Sequence, residues 1–250
     1  MRYFLELSYN GKNYHGWQIQ PSDISVQQVV QQSLSTILRT PIEVLAAGRT
    51  DAGVHASQIF VHMDVAQELN EVDLVYKLNS LLPSDIAVRE IKRVKDDAHA
   101  RFNATFRSYE YKISLEKNPF SMGFSWQVTN QIFDIDKMNE AAALLLEYEN
   151  FKCFSRSKTD VKTYNCTITE AVWKKEGNGL VFYISADRFL RNMVRAIVGT
   201  LVQIGNGRMT IPQFRNVIQS MDRRNAGASV PACGLSLTQV GYPLSIYDYE

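Results

Sequence analysis

The sequence has few cysteines and no pattern that pairs them. Cys153, Cys166 and Cys233 are odd in number and widely spaced, and no C-x-x-C pair occurs among the 250 residues. This spacing is untypical of a zinc site or a disulfide framework, so we expect reduced, partly buried thiols. The sequence also lacks a glycine-rich phosphate loop and an H-x-x-x-H pair, and therefore indicates neither a nucleotide site nor a metal site.

Long hydrophobic runs are absent as well. The chain begins Met1-Arg2-Tyr3-Phe4 and enters a strand without a secretory leader, so we expect a cytoplasmic protein that does not contact a membrane. Hydrophobic residues make up 45% and charged residues 21% of the chain, which is the balance typical of a globular protein with a real core.

A strong excess of one charge is missing too. The net charge is +1, whereas nucleic-acid-binding proteins are usually strongly basic. The charge is unevenly distributed, however, because residues 152–195 contain nine basic and four acidic side chains. Such an excess is most often a solvated face, and it would also suit a phosphate backbone.

Residues 48–56, which read G-R-T-D-A-G-V-H-A, combine an acidic side chain, a guanidinium and two glycines in nine positions. Short strands are predicted on both sides, which places Asp51 on the loop between them. Gly48 and Gly53 permit backbone angles that let this loop turn tightly. The pattern favours a catalytic acid on a rigid scaffold, although an ordinary turn with Asp51 bonded to its own backbone has the same pattern.

This nonamer resembles the signature of the TruA family of tRNA pseudouridine synthases. The resemblance implies that Asp51 is the nucleophile, and that Arg49 enters the RNA and helps to turn the target base out. Residues 9–20, Y-N-G-K-N-Y-H-G-W-Q-I-Q, are similar to the family as well. No role follows for this aromatic stretch, which by itself is compatible with core packing and with a surface that stacks on bases.

Basic and aromatic side chains alternate through residues 98–112, A-H-A-R-F-N-A-T-F-R-S-Y-E-Y-K. The mixture suits single-stranded or flipped-out RNA, since cations meet phosphates and rings stack on bases. An ordinary strand explains any one of the tyrosines equally well. The block matches the family pattern H-A-R-F-x-A-x-x-R-x-Y-x-Y. By that resemblance Tyr109 lies in the active site, and the residues implied to contact RNA are Ala98, His99, Ala100, Arg101 and Phe102.

Two further blocks extend the resemblance. Residues 189–199, F-L-R-N-M-V-R-A-I-V-G, are similar to F-x-x-x-M-V-R-x-I-V-G and place Arg195 in an apolar helix. Because a buried arginine needs a carboxylate partner, we expect Arg195 to pair with Asp51 and to keep it ionised. The segment V-P-A-C-G-L-S-L resembles A-P-A-x-G-L-x-L, which implies that Leu235 lines the uracil pocket. Core packing is the simpler role for that leucine.

Apolar spacing predicts helices at residues 26–38, 72–82, 136–148 and 190–204, with Ser25 as an N-cap. The order of elements gives an α+β fold of two halves, residues 1–103 and residues 104–250. The resemblance implies the pseudouridine synthase fold, in which both halves share a mixed, largely antiparallel sheet with a central cleft. The first half would carry the Asp51 loop. The second would complete the uracil pocket and the tRNA surface, including a basic loop with Lys158 and Lys162.

Conversion of uridine to pseudouridine is an isomerisation, so no redox cofactor, nucleotide or metal is required. A carboxylate can attack C1′ or C6, and Tyr109 is the candidate acceptor of the C5 proton. The resemblance implies a homodimer that flips uridines 38 to 40 in the anticodon stem-loop of tRNA. A catalytically silent tRNA-binding module is the alternative, but it would not need Asp51 beside Arg49. A glycoside hydrolase would need a second carboxylate, which no motif supplies.

Overall fold

The computed structural model describes residues 1–156 and 161–247. The chain divides into two compact units, residues 1–106 with residues 237 onward, and residues 107–236. The C-terminal segment, which the order of elements places in the second half, has its contacts in the first unit. Two hydrogen bonds give the reason: Thr105 N–H donates to the Gly241 carbonyl (2.8 Å), and the Tyr242 hydroxyl donates to the Ala100 carbonyl (2.6 Å).

Helices and strands are interspersed along the described chain. In order they are β1 (Arg2–Tyr9), α1 (Val26–Leu38), β2 (Leu45–Ala46), β3 (His55–Asp64), α2 (Glu71–Leu81), β4 (Ile86–Val94), β5 (Phe106–Ser114), β6 (Trp126–Gln127), α3 (Ile135–Leu144), β7 (Ile168–Glu176), β8 (Gly179–Ala186), α4 (Met193–Gly205), α5 (Ile211–Ser220) and β9 (Leu235–Gly241). Most strand pairs are antiparallel, while β5 and β6 are parallel. The predicted α+β class with a mixed, largely antiparallel sheet is confirmed.

In the first unit, the strand order is β4-β1-β3-β9, with β2 beside β3. The central strand β1 pairs antiparallel with both neighbours, so that Leu5 lies opposite Val61 on β3 and Ile91 on β4. All three side chains are buried. The pairing of β1 with β3 shifts register between Leu7 and Tyr9, which is where the strand approaches the Asp51 loop.

In the second unit, β5, β8 and β7 are neighbours in that order and pair antiparallel. The predicted hairpin between β7 and β8 is confirmed, and Gly177 in its turn has a φ of 54°, in the left-handed region. Trp173 and Phe182 pack with ring centroids 5.0 Å apart on the inner face of this sheet. Both side chains are almost completely buried.

The predicted helix at residues 26–38 is confirmed at both ends. The Ser25 side chain accepts a hydrogen bond from Gln28 N–H (3.3 Å) and satisfies one of the unpaired donors of the first turn. The helix predicted at 136–148 ends instead at Leu144 and continues as a 3₁₀ turn. The helix predicted from residue 190 begins only at Met193, because Asn192 has a φ of 64° and cannot continue an α-helix.

All three cysteines are free thiols, as predicted. Cys153 and Cys166 are buried, and burial raises the pKa of each thiol to about 12, so neither forms a thiolate readily. None of the helices within residues 1–156 and 161–247 is both long and apolar enough to cross a membrane.

Candidate active site

Asp51 lies, as predicted, on the loop between β2 and β3. The residue is half-buried, and its carbonyl accepts a hydrogen bond from Val54 N–H (3.1 Å), which closes a tight turn. Gly53 in this turn has a φ of 77°, so its predicted conformational role is confirmed. Gly48 has no such φ, and a Cβ at that position would meet open space. Arg49 is exposed on the same loop.

The segment from Tyr9 to Trp17, which we call the anchor segment, packs against the Asp51 loop. Its backbone is hydrogen-bonded to the loop on both sides of the aspartate. Trp17 N–H donates to the Thr50 carbonyl (3.3 Å), and Gly53 N–H donates to the Tyr14 carbonyl (3.2 Å). The main chain is therefore held one residue before Asp51 and two residues after it.

Two glycines allow the anchor segment to approach this closely. Gly16 has a φ of 85°, and a Cβ on it would lie 2.4 Å from the Thr50 carbonyl oxygen. A Cβ on Gly11 would lie 1.9 Å from the Val54 carbonyl oxygen. Gly11 N–H also donates to Nδ1 of the buried His55 (3.0 Å), at the start of β3. These contacts explain why the anchor segment needs glycine at both positions.

Side chains of the anchor segment form two further contacts. The hydroxyls of Tyr9 and Thr50 lie 2.8 Å apart, and both residues are buried. The Tyr14 hydroxyl donates to a carboxylate oxygen of Asp85 (2.6 Å). Burial first, and then this hydrogen bond, raise the pKa of Tyr14 well above its usual range. Because Tyr14 stays protonated, it remains a donor to Asp85.

In the second unit, Tyr109 is half-buried on β5, opposite Ile184 on β8. Its ring meets that of Phe189 edge-on, with centroids 5.1 Å apart. Leu235 begins β9 and is 5% exposed. Next to it, Gly234 leaves no room for a side chain, since a Cβ would lie 2.7 Å from the Tyr111 ring.

Arg195 on α4 is held by residues 226–231, which we call the strap. Arg195 Nε donates to the Val230 carbonyl (2.7 Å), and Val230 N–H donates to the Arg195 carbonyl (3.2 Å). The Gly227 N–H donates to the Thr200 hydroxyl one turn further along the helix (2.9 Å). The carboxylate expected to pair with Arg195 is that of Asp51, and this pairing stays a prediction.

A second arginine, Arg223, also holds the strap. Arg223 donates to the Gly227 carbonyl (2.9 Å) and to the Ser229 hydroxyl (3.0 Å). The same hydroxyl is bonded to the side chain of Asn192 at the start of α4. No sequence signal indicates these residues, because Arg223 adjoins Arg224 in a basic pair typical of a solvent-exposed surface and nothing local connects it to Arg195.

The five residues predicted to contact RNA, residues 98–102, form a loop of the first unit with two inward-facing members. Ala98 and Ala100 are buried with Phe4, Val94 and Ile246 in one hydrophobic cluster. Their side chains therefore hold the loop in place. The outward-facing members are Arg101, which is exposed, Phe102, which is 74% exposed, and the partly exposed His99.

The two outward-facing rings of this loop lie in a row with the ring of His62 on β3, in edge-on and tilted contact. His62, His99 and Phe102 have successive ring centroids 4.5 and 4.3 Å apart, and the Arg101 guanidinium lies 5.7 Å from the Phe102 centroid. Buried His62 accepts a hydrogen bond from Ala100 N–H through Nδ1 (3.2 Å). Burial, followed by the charge of His99, lowers the pKa of His62 to about 4. Its ring is therefore neutral at pH 7 and can act as this acceptor.

Comparison with known proteins identifies the family. The sequence model of a protein family described as tRNA pseudouridine synthase matches residues 7–103 and 141–243. A protein of Parabacteroides distasonis called tRNA pseudouridine synthase A is 50% identical over all of this chain and 99% of its own length. The Bacteroides thetaiotaomicron protein of the same name is 51% identical over all of this chain and 93% of its own. A Bacillus licheniformis protein, also of that name, is 36% identical over 97% of this chain and 99% of its own.

The chain belongs to the tRNA pseudouridine synthase family. The predicted family and the predicted enzyme class, an isomerase, are thereby confirmed. The two matched segments contain Asp51, Arg49, Arg195 and Leu235, whereas Tyr109 lies in the stretch between them. Its assignment therefore depends on the local pattern R-x-Y-x-Y rather than on the family match.

The remaining predicted site residues of this synthase-family chain are the two lysines of the basic loop. Lys162 is exposed, and Lys158 lies outside the described residues. In the part of the chain that the structure describes, no three histidine, cysteine, aspartate or glutamate side chains are grouped so that they could hold a metal ion.

Proposed function

We propose that this chain isomerises uridine to pseudouridine in the anticodon stem-loop of tRNA, at positions 38 to 40, with Asp51 as the nucleophile. The observation that carries the proposal is the Asp51 loop itself. Its aspartate is half-buried between two backbone anchors, and it lies two residues from an exposed arginine in a chain of the tRNA pseudouridine synthase family. Rigid support of this kind is what a nucleophile requires.

The chemistry breaks the bond between N1 and C1′, turns the uracil and joins C5 to C1′. The C5 proton leaves, N1 gains a proton, and the overall composition is unchanged. A carboxylate can serve by attacking the sugar at C1′ or the ring at C6, as covalent catalysis by carboxylates at sugar carbons illustrates. We propose Tyr109 as the acceptor of the C5 proton and as a ring that stacks on the uracil.

The target base must leave its stack before it can react. Unstacking costs a few kcal/mol, and we propose that exposed Arg49 enters the gap and offsets part of that cost. Arg101 and Phe102 would bind the neighbouring RNA through charge and stacking, while Ala98 and Ala100 support their loop. Lys158 and Lys162 would add contacts to phosphates.

The remaining proposed roles belong to the second unit. Leu235 would form an apolar wall for the uracil, which suits its nearly complete burial. Arg195 would keep the Asp51 carboxylate ionised and oriented, and the hydrogen bond from its Nε to Val230 would limit its own movement. We also propose that the chain acts in the cytoplasm as a homodimer, which sedimentation would test as twice the mass of one chain.

The test of the nucleophile is tritium release from tRNA labelled at uracil C5. The parent protein should release tritium, and Asp51→Asn, which keeps the size of the side chain, should release none. Asp73→Asn is the matched control, because Asp73 lies on the exposed side of α2. Release by Asp51→Asn at the parent rate would contradict the proposed nucleophile. If the parent bound tRNA with strong salt dependence and released no tritium, the chain would be a silent binding module instead.

The position of the target is tested separately. Transcripts in which uridines 38 to 40 are replaced by cytidine should lose the modification. Continued tritium release from such transcripts would contradict the anticodon assignment without affecting the assignment of Asp51.

A further inference from the structure

The anchor segment, which the family resemblance leaves without a role, contacts the Asp51 loop through one buried side-chain pair. Tyr9 is 5% exposed and Thr50 is 9% exposed, and their hydroxyl oxygens lie 2.8 Å apart. Two buried hydroxyls joined by a short hydrogen bond are held firmly, because the bond is shielded from water that would compete for it. Thr50 is the residue directly before Asp51.

The position of Tyr9 is determined by the sheet rather than by the loop. Tyr9 is the last residue of β1 and pairs with Ala56 on β3, after the register shift that follows Leu7. Such irregularities redirect a side chain relative to the regular strand. The Tyr9 ring also packs beside the Trp17 ring, with centroids 6.2 Å apart. The sheet thus fixes the position of the Tyr9 hydroxyl, and the hydrogen bond to Thr50 ties the loop to it.

We propose that Tyr9 and Thr50 are a positioning pair for the nucleophile. Their hydrogen bond fixes the side of Thr50 that faces the sheet, while Trp17 N–H holds its carbonyl. With both groups of Thr50 fixed, the adjoining Asp51 carboxylate has a defined direction of attack. The inference rests on the proposed role of Asp51 as nucleophile. Neither hydroxyl takes part in the chemistry itself.

The test removes one hydroxyl at a time with little change in shape. Tyr9→Phe keeps the ring that packs beside Trp17, and Thr50→Val keeps the branched shape of threonine. Because a shift of about 1 Å in a reacting group can cost roughly a hundredfold in rate, we expect each variant to lower single-turnover tritium release by about 10- to 100-fold. The KM for tRNA should stay within about twofold, since neither Tyr9 nor Thr50 is among the residues proposed to contact RNA.

Two features separate positioning from general stability. The double variant should be no slower than the slower single variant, because both changes remove the same hydrogen bond. Thr50→Ser, which keeps the hydroxyl, should recover most of the rate even if its Tm falls as far as that of Thr50→Val. Tyr76→Phe is the matched control, since Tyr76 is 74% exposed on α2 and should release tritium at the parent rate.

The outcomes distinguish this inference from the proposed function. If Asp51→Asn is inactive while folded Tyr9→Phe and Thr50→Val release tritium at the parent rate, the positioning pair is wrong and the nucleophile stands. If the fold-loss in rate of the double variant equalled the product of the two single fold-losses, the hydroxyls would act independently and the positioning pair would also be wrong. Tritium release by Asp51→Asn at the parent rate would instead remove the proposed function on which the pair rests.

Discussion

Replacing Gly199 with alanine should destabilise this protein, although the same change stabilises most helices. Gly199 lies in the middle of α4, where alanine is favoured over glycine by about 1 kcal/mol. A Cβ at this position would lie 1.8 Å from the carbonyl oxygen of Ala228 in the strap, whereas ordinary contact begins at 3.4 Å. Because the obstacle is backbone, no side-chain rotation can relieve the overlap.

The expected loss follows from what must move. Overpacking costs about 1 to 3 kcal/mol. Displacing the strap also breaks the hydrogen bond from Gly227 to Thr200 and the one from Val230 to Arg195, each worth about 1 kcal/mol. After the gain in helix propensity is subtracted, we expect a net loss of about 2 to 4 kcal/mol. At about 2 to 4 °C per kcal/mol for a chain of this length, Tm should fall by roughly 4 to 16 °C.

Thermal unfolding monitored by circular dichroism measures the difference in Tm between Gly199→Ala and the parent protein. Gly205→Ala is the matched control in the same helix, because its Cβ would lie 2.4 Å from the sulfur of Met138, the flexible end of a side chain. Its Tm should fall by less than that of Gly199→Ala. A Tm for Gly199→Ala at or above that of the parent would refute the reasoning, since it would mean that the strap moves without loss.

Three other predictions concern the loop at residues 98–102. The pKa of His62 is about 4 in the folded protein and about 6.5 in the unfolded chain, so the unfolded state binds more protons between these two pH values. The free energy of unfolding should therefore fall as the pH drops from 7 to 4, by at most about 3 kcal/mol. The free energy of unfolding in urea should differ less between pH 7 and pH 5 for His62→Gln than for the parent protein. An equal difference in the two proteins would contradict His62 as the cause. Tyr242→Phe removes the hydrogen bond to Ala100 and should lower the free energy of unfolding by about 1 kcal/mol in the same assay; no change would mean that water replaces the bond. Phe102→Ala should leave Tm unchanged and weaken tRNA binding by about 1 to 3 kcal/mol in a filter-binding titration, whereas unaltered affinity would show that no base stacks on this ring.

Local sequence signals predicted the regular elements well. The Ser25 cap and the apolar spacing behind it were sufficient for the whole of α1, since both are interactions within one or two turns. The start of α4 was placed three residues early because apolar spacing continues through Leu190. The left-handed backbone of Asn192, which the sequence pattern does not reveal, ends that continuity.

Motifs gave the predicted site residues, which stay predictions, but not the contacts that support them. The Asp51 loop was recognised from its own nine residues. The contact between Tyr9 and Thr50 joins positions far apart in the chain through a buried pair, and no periodicity indicates such a pairing. The expected partner of Arg195 was a carboxylate because charge is costly to bury. The pairing with Asp51 stays a prediction, and the hydrogen bond from Arg195 Nε to the Val230 carbonyl could not be predicted, because it depends on the strap packing against α4.

The return of the C-terminal segment to the first unit affects how the protein is made. Ile246 and Tyr242 pack with Phe4, Ala98 and Ala100 in one cluster, yet residues 107–236 are synthesised between these partners. At about 5 to 20 residues per second, the ribosome spends on the order of ten seconds on that insertion. During this interval Tyr242 and Ile246 are not yet in place, so we expect the apolar face of the residue 98–102 loop to be the part of the first unit that chaperones or proteases reach during translation.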